Sequence, residues 1–212
     1  MKHPTSRMLH AYWDRLRGER AAPERAEIEP GQIRHLLADS LILELDLPLR
    51  SATLRLAGTR ICALFGRELK GVPFAGLWRG FDGAGLPVAH GADPWRIVEM
   101  VALDTAGVVA GLRGTTAAGE SLDLELVLLP LRHHGRTHVR ALGTLSPVLA
   151  PPWLGLHPLV RLETTTLRVL SAAAPDSVGD GLPGPPHPLP APANDLAPVR
   201  RGHLLVHHGG RP

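Results

Sequence analysis

Apolar residues recur at helical spacing near the start of the chain. Within Thr5–Arg17 they fall on one face of a helix, at Met8, Leu9, Tyr12, Trp13 and Leu16. Pro4 stands just before this run, where a first-turn proline is tolerated because its missing N–H would have no helical partner. Gly18 and Pro23 then end the pattern. The sequence predicts an amphipathic N-terminal helix.

The next part of the chain predicts short elements. A second short helix is predicted for Pro30–Leu37, again opened by a proline. Two β-type runs, Ser40–Asp46 and Ala52–Leu56, follow on either side of Pro48, which suits a hairpin. Thr59–Phe65 returns to helical spacing.

The middle of the chain is predicted to be helical around a glycine-rich loop. Phe74–Trp78 is read as another short helix, and Gly80–Gly91 is predicted to be the loop. Pro94 then begins a longer helix that extends to about Thr105, because apolar residues again recur every three to four positions.

Three longer β-type runs follow, and they complete the folded part of the chain. They are Val108–Thr116, Leu122–Arg132 and Thr137–Leu145, separated by turn residues that include His134-Gly135. The order of elements is helix, two strands, several short helices and three strands. This order predicts an α+β fold.

The C-terminal part of the chain changes character. Leu156–Leu170 fits a final strand, a helix or an ordered extension, and its pattern does not distinguish among these three structures. Residues 171–212 hold nine of the chain's 21 prolines and no aromatic residue. Such a composition buries too little apolar surface to offset the entropy of ordering, so we predict a disordered tail. The expected organisation is a domain over 1–150, with the N-terminal helix in 1–20, an extension over 151–170 and the tail over 171–212.

Composition narrows the classes of function. The net charge of +3 comes from Lys and Arg scattered along the chain without a run, which argues against a concentrated nucleic-acid surface. The single cysteine, Cys62, excludes an internal disulfide. The N-terminus lacks the apolar segment of a secretory signal, and no apolar run approaches the length that spans a bilayer. These features predict a cytoplasmic protein without membrane insertion.

A family resemblance rests on Leu54–Gly71, LRLAGTRICALFGRELKG. Its Phe65-Gly66, followed by Glu68-Leu69 and Gly71, resembles the passage between two short helices in many PAS domains. The opening segment HPTSRMLHAYWDRLRGERAAPER is similar to that of small alphaproteobacterial single-PAS proteins. The resemblance covers about residues 1–150. It implies a PAS-like fold, in which an antiparallel sheet of five strands carries short helices on one face beside the N-terminal amphipathic helix. It also implies a sensory or regulatory module that performs no chemistry.

Catalytic and cofactor signatures are absent from the sequence. It contains no nucleophile elbow, phosphate loop, metalloprotease helix or kinase signature, so we predict no catalytic residue. Cys62 lies among aliphatic residues without the motif and amides that flavin-binding PAS relatives place around their cysteine. No histidine occupies Trp95–Asp104, where a haem ligand is expected from haem-binding relatives. We therefore predict no haem, flavin or metal.

Two sets of residues are candidates for function. A cavity between the helices and the sheet would be lined by apolar side chains, and it would either bind a small ligand or be a filled core. The candidates for this pocket are Leu43, Leu56, Cys62, Trp78, Ile97, Val101 and Leu126.

The second set is an interaction surface. The strand Leu122–Arg132 is apolar on both faces, so its outer face needs cover from the N-terminal helix or from a second subunit. The candidates are Met8, Leu9, Tyr12, Trp13, Leu16, Val127 and Leu129. PAS domains often dimerise through this helix and surface, which implies a homodimer.

Taken together, the sequence predicts a regulatory module that contacts a histidine kinase or another signalling protein. The alternatives are a sensor that binds a ligand or cofactor in its cavity and, less favoured, a nucleic-acid-associated regulator.

Overall fold

A six-stranded antiparallel sheet is the centre of the structure. The computed structural model describes residues 1–78, 80–81, 87–88, 94–103, 105–170, 199–201 and 204–206. Its strands are β1 (Ser40–Asp46), β2 (Ser51–Ala57), β5 (Gly107–Thr116), β6 (Ser121–His133), β7 (Arg136–Pro147) and β8 (Leu159–Leu170). In the sheet they have the order β2-β1-β7-β6-β5-β8.

The helices lie on both faces of this sheet. They are α1 (Pro4–Arg17), α2 (Thr59–Phe65) and α3 (Pro94–Leu103), with short 3₁₀ segments at Arg25–Glu27, Leu37–Asp39 and Phe74–Leu77. None of the helices in the described part of the chain is long and apolar enough to cross a membrane.

The predicted α+β fold and its order of elements are confirmed. Strand β1 and helix α2 have the predicted bounds, and β5, β6 and β7 each extend one to three residues beyond the predicted runs. The sheet has six strands and not the expected five. The extra strand is β8, which forms from the segment Leu156–Leu170 that the sequence left undecided and pairs with β5.

The segment predicted as a second helix, Pro30–Leu37, forms consecutive turns instead. The N–H of Ile33 donates to the carbonyl of Pro30 (3.2 Å), and the N–H of Leu36 donates to that of Ile33 (2.8 Å). The α-helical i→i−4 bonds do not form, and only Leu37–Asp39 becomes a 3₁₀ helix. A segment this short gains too few hydrogen bonds to offset helix nucleation, and tertiary contacts decide its path.

The predicted loop Gly80–Gly91 contains a small pair of strands. In the described residues, β3 (Gly80–Phe81) pairs antiparallel with β4 (Pro87–Val88). The rest of the predicted loop lies outside the described residues.

The alternation of side chains along the sheet produces two apolar layers. In β6, Leu124, Leu126 and Leu128 point to the inner face, under α2, α3 and Phe74–Leu77. Val127, Leu129 and Leu131 point to the outer face, where they meet α1 and the segment that follows it. We call these layers the inner cluster and the outer cluster.

The two edges of the sheet differ. The outer edge of β2 is bonded to the chain after α2, since Gly71 N–H donates to the Leu54 carbonyl (2.7 Å) and Leu54 N–H donates to that of Val72 (3.0 Å). Strand β8 forms the other edge.

The C-terminal residues form a separate unit by contact clustering, Pro175–Pro212. In it the structure describes one antiparallel pair, β9 (Val199–Arg201) with β10 (Leu204–Val206). The remainder of the predicted disordered tail lies outside the described residues, and its disorder stays a prediction.

Candidate functional site

The inner cluster brings together most of the predicted pocket residues. Leu43, Trp78, Ile97, Val101 and Leu126 are all buried in it, at no more than 3% exposure. They come from β1, the end of the Phe74–Leu77 segment, α3 and β6, so elements distant in sequence converge on one face of the sheet. The indole N–H of Trp78 donates to the Thr164 hydroxyl (3.0 Å) of β8.

Leu56 does not join this layer, and its side chain is 44% exposed. The register between β1 and β2 shifts by one residue, because Leu43 faces Leu54 but Ile42 faces Leu56. Arg55 is therefore the extra residue of a β-bulge, which turns Leu56 away from the inner face. The sequence pattern assigned Leu56 to the pocket by strict alternation, and the bulge corrects that assignment.

Cys62 lies at the border of the inner cluster and is partly exposed. Its Sγ is 3.7 Å from the Ala57 carbonyl and 3.7 Å from Glu68 Oε1. The same Glu68 oxygen accepts from the N–H groups of Leu69 (2.9 Å) and Lys70 (3.0 Å), which lowers the pKa of this carboxyl. This arrangement holds the turn that follows α2.

Gly66 allows the sharp exit from α2. It adopts φ 62°, a left-handed conformation that glycine accommodates without steric cost. The segment that resembles PAS domains is thus a helix exit followed by a carboxylate-capped turn.

The apolar stripe of α1 packs on the outer face of its own sheet. Leu9, Tyr12 and Trp13 are buried in the outer cluster, and Leu16 packs against it partly buried. Their partners Val127 and Leu129 are fully buried beneath them. The cover over β6 therefore comes from the same chain, which was one of the two alternatives.

Met8 is the exception among these candidates, with 43% of its side chain exposed. It lies at a groove of about 420 Å³ between α1 and the turns after Glu29. The groove is lined by Met8, Ala11, Tyr12, Arg15, Gln32, Ile33, His35 and Leu36. Its lining combines apolar side chains with the polar Gln32 and His35 and with the cationic Arg15, whose guanidinium donates to Gln32 Oε1 (3.0 Å).

A buried carboxylate attaches the start of α1 to the sheet. Glu125 of β6 is only 5% exposed and accepts from Lys2 N–H (Oε2, 2.6 Å) and His3 N–H (Oε1, 2.9 Å). The first turn of α1 contains no acidic residue of its own, so Glu125 supplies the negative charge that a helix N-terminus favours.

Hydrogen bonding also sets the ionisation of Glu125. Burial by itself raises the pKa of this carboxyl, but the hydrogen bonds from the Lys2 and His3 backbone N–H groups help to outweigh that effect and hold the pKa below its ordinary value. Glu125 is not among the residues that the sequence singles out. The available signal is that alternation places Glu125 on the same face as Val127 and Leu129, which was predicted to receive α1.

A second attachment lies further along α1. The indole N–H of Trp13 donates to the carbonyl of Pro130 (2.7 Å) in β6. The chain after α1 then continues along the end of β6, since Arg132 N–H donates to the Pro23 carbonyl (2.8 Å). The Tyr12 hydroxyl accepts from Glu29 N–H (2.9 Å) and fixes the following segment. Residues 2–29 therefore form a cap attached to the outer face at several points.

Two histidines of the last hairpin lie side by side. The rings of His133 and His134 lie 4.2 Å apart by their centroids. In the part of the chain that the structure describes, no group of three His, Cys, Asp or Glu side chains is placed to hold a metal ion.

Comparison with known proteins gives a match for most of the chain. A family model described as "PAS domain" matches residues 1–146, from before α1 to the penultimate residue of β7. A search of curated proteins finds no match to this sequence. The matched residues include the cap, most of the inner cluster and five of the six strands of the sheet, and the chain belongs to the PAS domain family.

Proposed function

We propose that this PAS protein is a non-enzymatic regulatory module of bacterial signalling that acts in the cytoplasm through contacts with another protein. PAS domains are sensory modules, and the match over residues 1–146 supports a role in signalling. The partner would be a histidine kinase or another signalling protein.

The groove beside Met8 is the observation that carries this proposal. An exposed thioether is adaptable and favours contacts with a partner. The floor is apolar, with Ile33 and Leu36 buried at its base, and Arg15 lies at its border. A partner that inserts an apolar side chain next to an acidic group would complement this surface.

The groove also lies against the cap. Tyr12 contributes to the groove and also holds the Glu29 backbone, so a bound partner would contact the element that covers the outer face. A contact at this position would link partner binding to the packing of α1 on β6.

Affinity capture from the native cell tests this proposal. We expect the wild-type protein to retain a specific partner and Met8→Asp to lose it, because a carboxylate would be buried unpaired against the apolar floor. Leu49→Asp is the matched control, since Leu49 is 75% exposed in the turn between β1 and β2, away from the groove. Equal retention of the partner by Met8→Asp and wild type would contradict the proposal.

A second candidate function is ligand sensing in the inner cluster. Its support is the convergence of Leu43, Trp78 and Val101, with two other pocket candidates, on one face of the sheet. An absorption spectrum and a native mass spectrum of the purified protein separate the two functions. A chromophore or a constant added mass would favour ligand sensing over action through protein contacts alone.

A further inference from the structure

Strand β8 lies outside the part of the chain that matches the PAS family, and it forms an edge of the sheet. The family match ends at residue 146, whereas β8 begins at Leu159 and pairs with β5 over its length. Among the described residues, β8 forms no backbone ladder on the side away from β5. The opposite edge, at β2, is bonded to residues 71–72.

We propose that β8 pairs antiparallel with β8 of a second copy of this chain, so that the two sheets join edge to edge in a homodimer. The strand is rich in aliphatic and β-branched residues, LVRLETTTLRVL, and contains neither proline nor lysine. Natural edge strands use proline and lysine to block pairing with another strand. This inference does not depend on the signalling role proposed above.

The positions of two charged side chains favour a second copy as the partner. Glu163 faces Arg113 of β5, and Arg168 faces Val109. Val109 belongs to the outer cluster and Arg113 is four residues further along the regular strand β5, so Glu163 and Arg168 both lie on the outer face. Neither side chain forms an ion pair within the described residues.

The shared face follows from a β-bulge. The register between β5 and β8 shifts between Gly111 and Leu112, which leaves Thr165 as the extra residue of β8. Glu163 and Arg168 are five positions apart and would occupy opposite faces of a regular strand, but the bulge places them on the same face.

This geometry selects one register for a two-fold pair. Residues directly opposite each other in an antiparallel pair share a face. With Glu163 of one copy opposite Arg168 of the other, Leu162 lies opposite Val169 on the inner face, and the charge pair occurs twice. The neighbouring register that also keeps the faces matched places Arg161 opposite Arg168, which is repulsive.

The exposure of Val169 indicates that its side chain lacks a covering neighbour at this edge. Val169 is 43% exposed, although it belongs to a strand of the main sheet and lies opposite the buried Val108 of β5. In the selected register the Val169 side chain would be covered by Leu162 of the other copy.

Charge reversal tests the interface in the full chain. We measure dimer dissociation by sedimentation velocity for wild type, Glu163→Arg, Arg168→Glu and the variant with both changes. Each single reversal creates two like-charge pairs and is expected to weaken the dimer roughly tenfold or more, since cross-strand charge pairs act at this scale. The double reversal restores both pairs and is expected to dimerise like wild type.

Arg161→Glu identifies the register. We expect little change in dimer affinity, because Arg161 faces the apolar Leu170 of the second copy in the selected register. Tighter dimerisation of Arg161→Glu would overturn the selected register in favour of the neighbouring one, in which position 161 lies opposite Arg168. A wild-type chain that stays monomeric, or a dimer that ignores both single reversals, would overturn the edge pairing itself. A monomeric wild-type chain would mean that the β8 edge is open, or that another segment of the chain or another protein covers it.

Discussion

The indole N–H of Trp13 reaches the carbonyl of Pro130 at 2.7 Å, just beyond the point where β5 stops pairing with β6. The ladder between these strands ends at Val108 opposite Leu128, so the backbone of β6 beyond it needs another partner. Proline has no N–H to leave unpaired at this position. The indole N–H of Trp13 satisfies the Pro130 carbonyl, and the Trp13 ring packs in the outer cluster at the same time.

Trp13→Phe is expected to destabilise the fold by about 2–4 kcal/mol, because it removes the indole donor from a buried carbonyl and leaves a cavity. Urea unfolding followed by circular dichroism measures the free energy of unfolding. Tyr12→Phe is the control, since it removes a hydrogen bond to Glu29 and keeps the ring. We expect that variant to lose about 1 kcal/mol. Equal losses in both variants would contradict a special role for the Trp13–Pro130 bond.

Glu125→Gln is expected to cost about 1–3 kcal/mol at neutral pH, because Lys2 N–H and His3 N–H donate to different oxygens of the carboxylate. A glutamine keeps one acceptor oxygen and places its amide NH₂ against the other donor. The loss should depend on pH. The folded-state pKa of Glu125 is lowered, so its stabilising effect is complete above the ordinary carboxyl pKa and disappears as the pH falls through the folded-state value.

Urea unfolding of wild type and Glu125→Gln across a series of acidic pH values measures this dependence. The gap between the two proteins should close on acidification. Asp123→Asn provides the control, since Asp123 is exposed and pairs with Arg113 at the surface (3.0 Å), where ion pairs contribute little. A gap that is constant with pH would show that the charge of Glu125 does not hold α1.

Leu54→Ala and Leu56→Ala form a matched pair that tests the bulge in β2. Leu54 is fully buried in the inner cluster, and its truncation should cost about 2–5 kcal/mol. Leu56 is 44% exposed, and its truncation should cost about 1 kcal/mol or less. Denaturant unfolding compares the two. Similar large losses in both variants would place Leu56 on the inner face and remove the bulge.

Gly58→Ala is expected to destabilise the protein by more than about 2 kcal/mol. A Cβ at Gly58 would collide with the backbone carbonyls of Leu37 and Ala38, and the backbone there has little room to move because Gly58 N–H donates to the Ser40 carbonyl (2.8 Å). Gly31→Ala is the control, because a Cβ there meets open space and φ is not left-handed. Thermal unfolding of both variants measures the difference, and a Gly58→Ala protein as stable as Gly31→Ala would contradict the close approach.

Local patterns predicted most of the elements, because their signals are local. The helical spacing of Thr59–Phe65 and the glycine that ends it specify α2, and the alternation in Ser40–Asp46 specifies β1. Leu56 was misplaced because its bulge arises only when β2 pairs with β1, which is a long-range event. The turns of Pro30–Leu37 also depend on tertiary contacts, since Ile33 and Leu36 are held in the outer cluster.

The candidate site was less predictable than the fold. The inner cluster followed from alternation and helical spacing, so five of its seven proposed members are buried together. The attachment of α1 depends on which face of β6 the helix covers, and no local pattern pairs Glu125 with backbone groups 122 residues away. The charge arrangement on β8 depends in the same way on the bulge at Thr165.

The cap over the outer face determines the smallest fragment of this protein that can be expected to fold. A fragment that starts at β1 would contain every strand of the main sheet, yet it would expose Val127, Leu129 and Leu131 to water. It would also leave the Glu125 carboxylate on an apolar surface without its two amide donors. Any shortened version for crystallisation or for fusion to a reporter should therefore retain the chain from Lys2 onward.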